Sequence, residues 1–429
     1  MRRADRCDAS GGIAVREKNT SPTLLPTTKA QVSGHRFLRR RVEHGLVFGD
    51  IRMIHDPLGT RSRALLFGFI ATVLVGLGAG LMAWASPNPD PGEAAVVADD
   101  AGGLYVRVDD RLHPVANLAS ARLIAGEPAD PASIGAEYLA ASPHGSPVGI
   151  PDAPSLIAEQ APRRWSACWV AAAGEVVVRA GAEVTRLGEK AVFVPTHERD
   201  WVLTADGRRE LPPADSPEGR VLRRGLGVDA GTPAVDLPGE VLGAVAEQPA
   251  WRLPDPLPHL LHTGSEAGTW ALIDSAIAPL TEAQAGILAD AGAPESEIDR
   301  AELADYPTHD GPAPSLPRLA PGWVDPAERA VCADESGAAA TAPARLGGVE
   351  LAGDAVADRF EGPAGGAFAV DTGHGLQMIS GVGRRHDVPS PEALTALGAP
   401  EPADAPWEIV RLLPEGSVLS RELAARAMY

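Results

Sequence analysis

Residues 64–85 read ALLFGFIATVLVGLGAGLMAWA, twenty-two residues without a charge. At about 1.5 Å rise per residue this run makes a helix of about 33 Å, enough to cross a hydrocarbon core of about 30 Å. Arg61 and Arg63 stand just before it and Trp84 sits at its far end, where an amphipathic ring prefers the interface. The stretch predicts one transmembrane helix over 64–85, and the rest of the chain divides around it.

Charge sets the expected orientation. Residues 1–63 carry a net +7, and the residues after the span carry −26 of the total −19. A short basic segment is retained and a long acidic one exported, which predicts a cytoplasmic N-terminus and an extracytoplasmic C-terminal part. Ala83-Trp84-Ala85 also fits the small-x-small pattern of a signal-peptidase site. The apolar run is longer than the ~7–15 residues of a signal-peptide core, and a leader of this length is far too long, so the reading is an uncleaved anchor. No Cys lies near the span's end to suggest a lipoprotein.

About 340 residues follow the span, more than one hydrophobic core organises. Forty Pro and 46 Gly predict many turns, and Lys is nearly absent, with 3 of the 38 basic residues. The acidic exported part has no basic stripe to neutralise a phosphate backbone, which argues against a nucleic-acid partner.

Residues 1–28 are polar, turn-rich and without apolar period, and read as a disordered cytoplasmic tail holding Cys7 as a free thiol. Residues 29–63 form a basic segment. Leu38, Val42, Gly45, Leu46 and Gly49 recur at helical spacing, with Arg36, Arg39, Arg40 and Glu43 off that stripe. Two readings of this amphipathic helix stand side by side: attraction to anionic headgroups, at about 1 kcal/mol per basic residue, or docking to a partner's cytoplasmic domain. Arg36, Arg39, Arg40, Arg41 and Arg52 are the candidate docking residues. Residues 56–59, Asp-Pro-Leu-Gly, are expected to turn the chain into the span.

The run over 27–64, TTKAQVSGHRFLRRRVEHGLVFGDIRMIHDPLGTRSRA, resembles the cytoplasmic N-terminus of the EccB family, a membrane component of actinobacterial type VII (ESX) secretion systems. Its most specific fragments are Gln31-Val32-Ser33-Gly34, Arg39-Arg40-Arg41 with Glu43-His44, and Asp50-Ile51-Arg52-Met53 before Asp56-Pro57. After the span, LYVRVDDRLHPVANLASARLI (104–124) and Gly149-Ile150-Pro151-Asp152-Ala153-Pro154 resemble that family's first exported segment. Residues 412–420, LLPEGSVLS, resemble its closing motif.

Residues 86–100 are a Pro-rich linker, and 101–429 the ectodomain. An alternating strand, a turn, a proline and a helix recur four times. The copies are Leu104 to Val108 with Pro114, Trp201 to Leu203 with Pro212, Trp270 to Ile273 with Pro279, and Gln377 to Ile379 with Pro389. The prolines precede closing glycines by 12, 15, 13 and 9 residues, so the copies are separate modules, expected over about 101–160, 195–240, 265–310 and 372–402. The resemblance implies an α+β fold in which four such β-turn-α repeat modules surround a central β-rich domain assembled from non-adjacent segments. It would place central strands near 176–178, 191–194, 366–371 and 407–413.

Cys168 and Cys332 are the only cysteines past the span, and a matched pair in an oxidising compartment most simply forms one disulfide. It would close a loop of 164 residues, for which chain-entropy models give about 5 kcal/mol. With no second pair and no C-x-x-C, its role is structural.

Catalytic patterns are few. A P-loop needs G-x-x-x-x-G-K-[ST], and the chain has no Gly-Lys pair; Lys18, Lys29 and Lys190 follow Glu or Thr. Family members carry the label ATPase, so ATP would be a cofactor only if that label held here; no other cofactor or metal is expected, and no catalytic residue is named. His259 and His262 at i, i+3 read as packing or surface histidines, and Asp109-Asp110 and the acidic residues of 295–299 as solvated turns. Two classes of function remain. One is a non-enzymatic scaffold of the translocation channel, for which the resemblance implies self-association and contact with the EccC motor ATPase, EccD, EccE and the mycosin protease. The other is an anchored cell-wall binder or enzyme, with peptidoglycan as ligand.

Overall fold

In the computed structural model, residues 28–49, 57–85, 89–158, 160–264, 268–311, 314–399 and 401–428 are described. The chain forms two compact units, residues 1–87 and 88–429. In the first, α1 spans Lys29–Phe48. Thr28 opens it with a capping box: its hydroxyl accepts from Gln31 N (3.4 Å) while Gln31 Oε1 accepts from Thr28 N (3.0 Å). Gly49 closes it at φ 70°. The second helix, α2, spans Pro57–Ala85. The turn expected over 56–59 is corrected: from Pro57 these residues are already helical, because a proline's fixed φ suits the first helical position. Within α2, Arg63–Met82 is long and apolar enough to cross a membrane, with mean hydropathy 2.3 and no residue buried.

The second unit holds four small sheets and a larger one. The first small sheet comprises β1 (Val96–Ala98), β2 (Leu104–Val108), β3 (Arg111–Pro114) and β4 (Ala132–Ser133), with α3 (Leu118–Ala125) before the last strand and α4 (Ala136–Ala141) after it. Then come β5 (Trp165–Val170), β6 (Glu175–Ala180) and β7 (Thr185–Arg186) of the larger sheet. The second small sheet starts with β8 (Lys190–Pro195), β9 (Asp200–Thr204) and β10 (Gly207–Leu211), followed by α5 (Pro217–Leu226) and α6 (Gly239–Ala244). The third is β11 (His259–His262), β12 (Thr269–Ile273), β13 (Ala276–Leu280), α7 (Glu282–Asp290) and β14 (Glu295–Glu297). Only then does β15 (Gly322–Trp323) pair in parallel with β8 and complete the second sheet. The larger sheet resumes with β16 (Arg329–Asp334), β17 (Ala339–Pro343), β18 (Val349–Glu350) and β19 (Arg359–Glu361). The fourth small sheet is β20 (Phe368–Asp371), β21 (Leu376–Ile379), β22 (Arg385–Val388), α8 (Pro391–Leu397) and β23 (Ala403–Asp404), and α9 (Trp407–Val410) and α10 (Arg421–Ala424) follow.

All four small sheets share one order: third strand, second, first, and then the last strand beside the first. Local chemistry explains why. Asp109 and Asp110 (φ 48° and 60°), and Asp274 and Ser275 (φ 51° and 68°), make two-residue turns whose twist suits a hairpin. Asn117, Ser216, Thr281 and Ser390 then cap the helices, two of them ahead of a proline. Gly126, Gly227 and Gly398 end three of these helices in the left-handed region. Each chain returns as a short strand parallel to the first.

Several expected positions shift. The first strand of every small sheet lies ahead of the range read from the sequence, at 96–98, 190–195, 259–262 and 368–371. Of the four expected central strands, only 176–178 is in the larger sheet, whose order is β18-β19-β6-β5-β16-β17-β7. Residues 191–194 and 366–371 belong instead to the second and fourth small sheets, and 407–410 is helical. Pro406 at the start of α9 and the i, i+3 pair Arg411 Nε to Glu408 Oε2 (2.8 Å) favour the helix there.

Alternation along the strands places the cores. Val192, Val194 and Leu203 of the second sheet, and Phe368, Val370 and Ile379 of the fourth, face the larger sheet's Trp165, Val178, Val331 and Phe360. Their neighbours Ala191 and Val202 turn the other way, into a core shared with Leu222 and Leu226 of α5, Leu260 of the third sheet and Ile287 of α7. Ala369 and Met378 likewise turn into a core shared with Val96 and Val106 of the first sheet, Leu123 of α3 and Leu397 of α8. The small sheets therefore work in pairs, second with third and first with fourth, one member of each pair buried on both faces.

Candidate functional site

Three places carry the residues singled out above. The first is α1, on which Arg36, Arg39, Arg40 and Arg41 are all exposed. At 100° per residue the first three share one face and Arg41 lies to its side. Arg39 Nε meets Glu43 Oε1 at 2.9 Å, an exposed i, i+4 pair of small energetic weight. Beside them Leu38, Val42 and Leu46, spaced by four, stand 59, 61 and 81 % exposed, so α1 offers an apolar stripe flanked by guanidinium groups. Arg52 lies outside the described residues.

The second place is the larger sheet, where a disulfide joins Cys168 of β5 to Cys332 of β16. The two are register partners on adjacent antiparallel strands, with Cα atoms 4.0 Å apart and neither residue exposed. Val170, Val177, Ala330, Ala340 and Ala342 pack around them. The loop they close holds the second and third small sheets entire. Near this layer Arg179 clamps Glu361 (Nε to Oε2, 2.7 Å), and Arg186 Nε reaches the buried Asp334 at 2.9 Å. Burial pushes the Asp334 carboxyl up, but hydrogen bonds from Ser336, Ala338 N–H and Arg186 outweigh it and hold the group below its usual range.

The third place was not legible in the sequence. Asp152 Oδ2 accepts from Ser417 N at 3.0 Å, and the Ser417 carbonyl lies 2.9 Å from His386 Nδ1. A carbonyl only accepts, so Nδ1 carries the proton. His386 is fully buried and its Nε2 has no partner. These residues come from the 149–154 turn, β22 and the segment before α10, so two of the motifs quoted for the family resemblance converge on one histidine. The trio is not a nucleophile relay: the imidazole bonds the Ser417 main chain rather than its hydroxyl.

The two histidines singled out in the sequence bond residues of neighbouring strands. His259 Nε2 meets Ser296 Oγ at 2.7 Å, while His262 meets Thr269 Oγ1 at 3.1 Å through Nδ1 and Glu295 Oε2 at 3.3 Å through Nε2. Both sit on β11, where an odd spacing sends side chains to opposite faces. Among the described residues no group of three or more His, Cys, Asp or Glu is placed to hold a metal. Asp109 and Asp110 occupy a hairpin turn, and Glu295 and Glu297 an exposed edge strand.

An exposed basic amphipathic helix, a membrane-length apolar helix and a disulfide-bonded body of five sheets fit a membrane-anchored assembly protein. Residues 24–268 and 348–428 match the family described as type VII secretion system ESX-1, transport TM domain B, and the chain belongs to that EccB family. The ESX-1 secretion system ATPase EccB1 of Mycobacterium tuberculosis is 29 % identical over 94 % of this chain and 95 % of its own. EccB3 of the ESX-3 system from the same species is 35 % identical over 53 % of this chain and 45 % of its own. Among solved structures, a chain of the intact ESX-5 inner membrane complex superposes with a TM-score of 0.66 at 26 % identity, covering 95 % of this chain and 96 % of that one. The EccB3 dimer of the ESX-3 core complex shares the fold, with a TM-score of 0.65 at 22 % identity over 78 % of this chain and all of that one.

Proposed function

We propose that the chain is a structural component of a type VII secretion inner membrane complex, held in the membrane by α2 and assembling with further copies of itself through the body of residues 88–429. The observation that carries this reading is the superposition on a chain of the intact ESX-5 inner membrane complex across nearly the whole length of both. The four small sheets are four copies of one β-turn-α repeat module around a central β-rich domain; their common strand order supports this despite their irregular spacing. The charge split supports a cytoplasmic α1 and an exported body. In this orientation Arg36, Arg39, Arg40, Arg41 and Arg52 dock a cytoplasmic partner, the EccC motor ATPase being the first choice, with EccD and EccE beside the span and the mycosin protease outside. The word ATPase in the relatives' names is the one support for ATP as a ligand, and this sequence lacks the Gly-Lys pair a P-loop requires.

A tagged chain purified from native membranes in mild detergent tests the reading. Recovery within a very large assembly that contains EccC and EccD, lost when Arg39, Arg40 and Arg41 are changed together to Gln, is the expected result. A chain recovered alone as monomer or dimer would overturn it and direct attention to wall binding by the exported body.

A further inference from the structure

The segment after α9 ties the two ends of the body together. Gly416 N donates to Arg385 O (2.7 Å) and Leu419 N to Asp387 O (2.8 Å), so residues 414–419 run along β22 of the fourth sheet. Beyond them α10 packs on α3 of the first sheet, Arg421 Nη2 caps the Ile124 carbonyl (2.7 Å), and Met428 N reaches Pro147 O (3.0 Å). Leu419 and Ala424 are fully buried in the core shared by the first and fourth sheets. At the centre of this clasp lies the chain Asp152, Ser417, His386. Gly416 packs directly on the imidazole, and a Cβ at that position would overlap the ring.

We propose that His386 makes this clasp acid-labile, so that protonation of its buried Nε2 releases residues 414–428 from the first and fourth sheets and bares the Leu419 side of α3. The neutral ring fits its site: Nδ1–H is satisfied by the Ser417 carbonyl, and Nε2 points into a place without a donor or acceptor. A protonated ring must put a second N–H and a full charge there, with no oxygen to receive them. The charged groups around it do not remove that conflict. Asp152 bonds Ser417 N; Asp387, on the same strand, accepts from Gln377 Nε2 (2.5 Å); Glu415, on the C-terminal segment, is taken by Arg385 (3.0 Å). Arg384, in the turn just ahead of β22, adds a positive charge, and β21 contributes Met378 and Gln377, neither of which titrates. Burial is the largest influence and pushes His386 below its ordinary value, against the Ser417 bond and the Asp152 charge. A depressed imidazole contributes stability above the unfolded value of about 6.5 that is lost as pH falls below it, whereas Asp152, itself held low, begins to titrate only below the ordinary aspartate value of 3.8. Between pH 7 and 5 the clasp therefore answers to His386.

Hydrogen exchange of the full chain in detergent micelles, corrected for the intrinsic pH dependence of exchange, tests this. Peptides covering 414–428 should open up to about 25-fold more readily at pH 5 than at pH 7, the ceiling for one group that protonates only in the released state. Peptides from β9 should not change. His386→Asn keeps a donor for the Ser417 carbonyl and cannot titrate, so its profile should be flat. Asp152→Asn keeps an acceptor for Ser417 N but withdraws the charge that favours the imidazolium in the closed clasp, so its acid response should set in at the same pH and be at least as large as in the wild type. Protection of 414–428 that persists in the wild type down to pH 4.5, or an acid response retained by His386→Asn, would overturn the proposal. Should His386→Asn not fold, an acid response in Asp152→Asn smaller than that of the wild type would do the same.

Discussion

Breaking the bond between Cys168 and Cys332 should weaken the body far more than the loss of two small side chains. The bond closes a loop of 164 residues, and loop-closure entropy for that length gives about 5 kcal/mol, all of it exerted on the denatured chain. The β5–β16 ladder holds the same neck in the folded state but vanishes on unfolding, so it cannot substitute. Reduction isolates the cross-link, because both sulfurs stay in place; changing both residues to Ala adds about 1–2 kcal/mol for the thinned layer around Val170 and Val177. Engineered and native disulfides often deliver less than the entropy model, so a loss of about 3–5 kcal/mol is expected on reduction. At about 3 kcal/mol per molar urea that moves the midpoint by about 1–2 M. Urea unfolding in micelles, followed through tryptophan fluorescence to which the buried Trp165 on the bonded strand contributes, reads it. Oxidised and reduced protein with midpoints within about 0.3 M of each other would refute the reasoning, and would mean that the denatured chain keeps this neck closed without the bond.

Leu222→Ala and Leu288→Ala, both fully buried where the second and third sheets meet, should each lose about 2–5 kcal/mol and couple in a double-mutant cycle, whereas Leu46→Ala, 81 % exposed on α1, should stay within about 0.5 kcal/mol. Ser216→Ala and Ser390→Ala remove helix caps and should lower stability by about 1 kcal/mol apiece in the same urea assay. Arg209 holds Asp206 at about 2, so the pair's contribution is present above pH 4 and lost as pH falls towards 2; with the Asp206 side chain 60 % exposed, the effect should be small and should shrink in salt. Comparing wild type with Asp206→Asn at pH 5 and pH 2.5 checks the sign.

What could be read from the sequence was what the chain encodes locally. A span is twenty-two uncharged residues, and a hairpin followed by a capped helix is written in Asp109-Asp110, Thr281 with Gln284, Ser216-Pro217 and Gly398, all within a few residues of what they govern. The strands that open and close each sheet are different. β4, β15 and β23 are two residues long, and β15 finds its partner more than a hundred residues upstream. No period can be recognised in two residues, so pairing is decided by tertiary fit. The same reason hid the division of strands between small and larger sheets: 191–194 and 366–371 are apolar on both faces because both faces are buried, whichever sheet they join. The cluster of Asp152, His386 and Ser417 is assembled from three distant segments and has no spacing to read.

The nesting of the third sheet inside the second has a consequence for how the chain is made. Edge strand β8 emerges first and must wait for β15, roughly 130 residues later, before its free side is paired. At ordinary elongation rates that is about 7–26 s of nascent life, and the first sheet waits longer still for α10, roughly 300 residues after α3, to cover that helix. Such non-local closure slows folding and leaves strand edges open to wrong partners. Slow codons or a bound chaperone over 196–321 would change the yield of correctly nested protein without altering a single contact in the finished one.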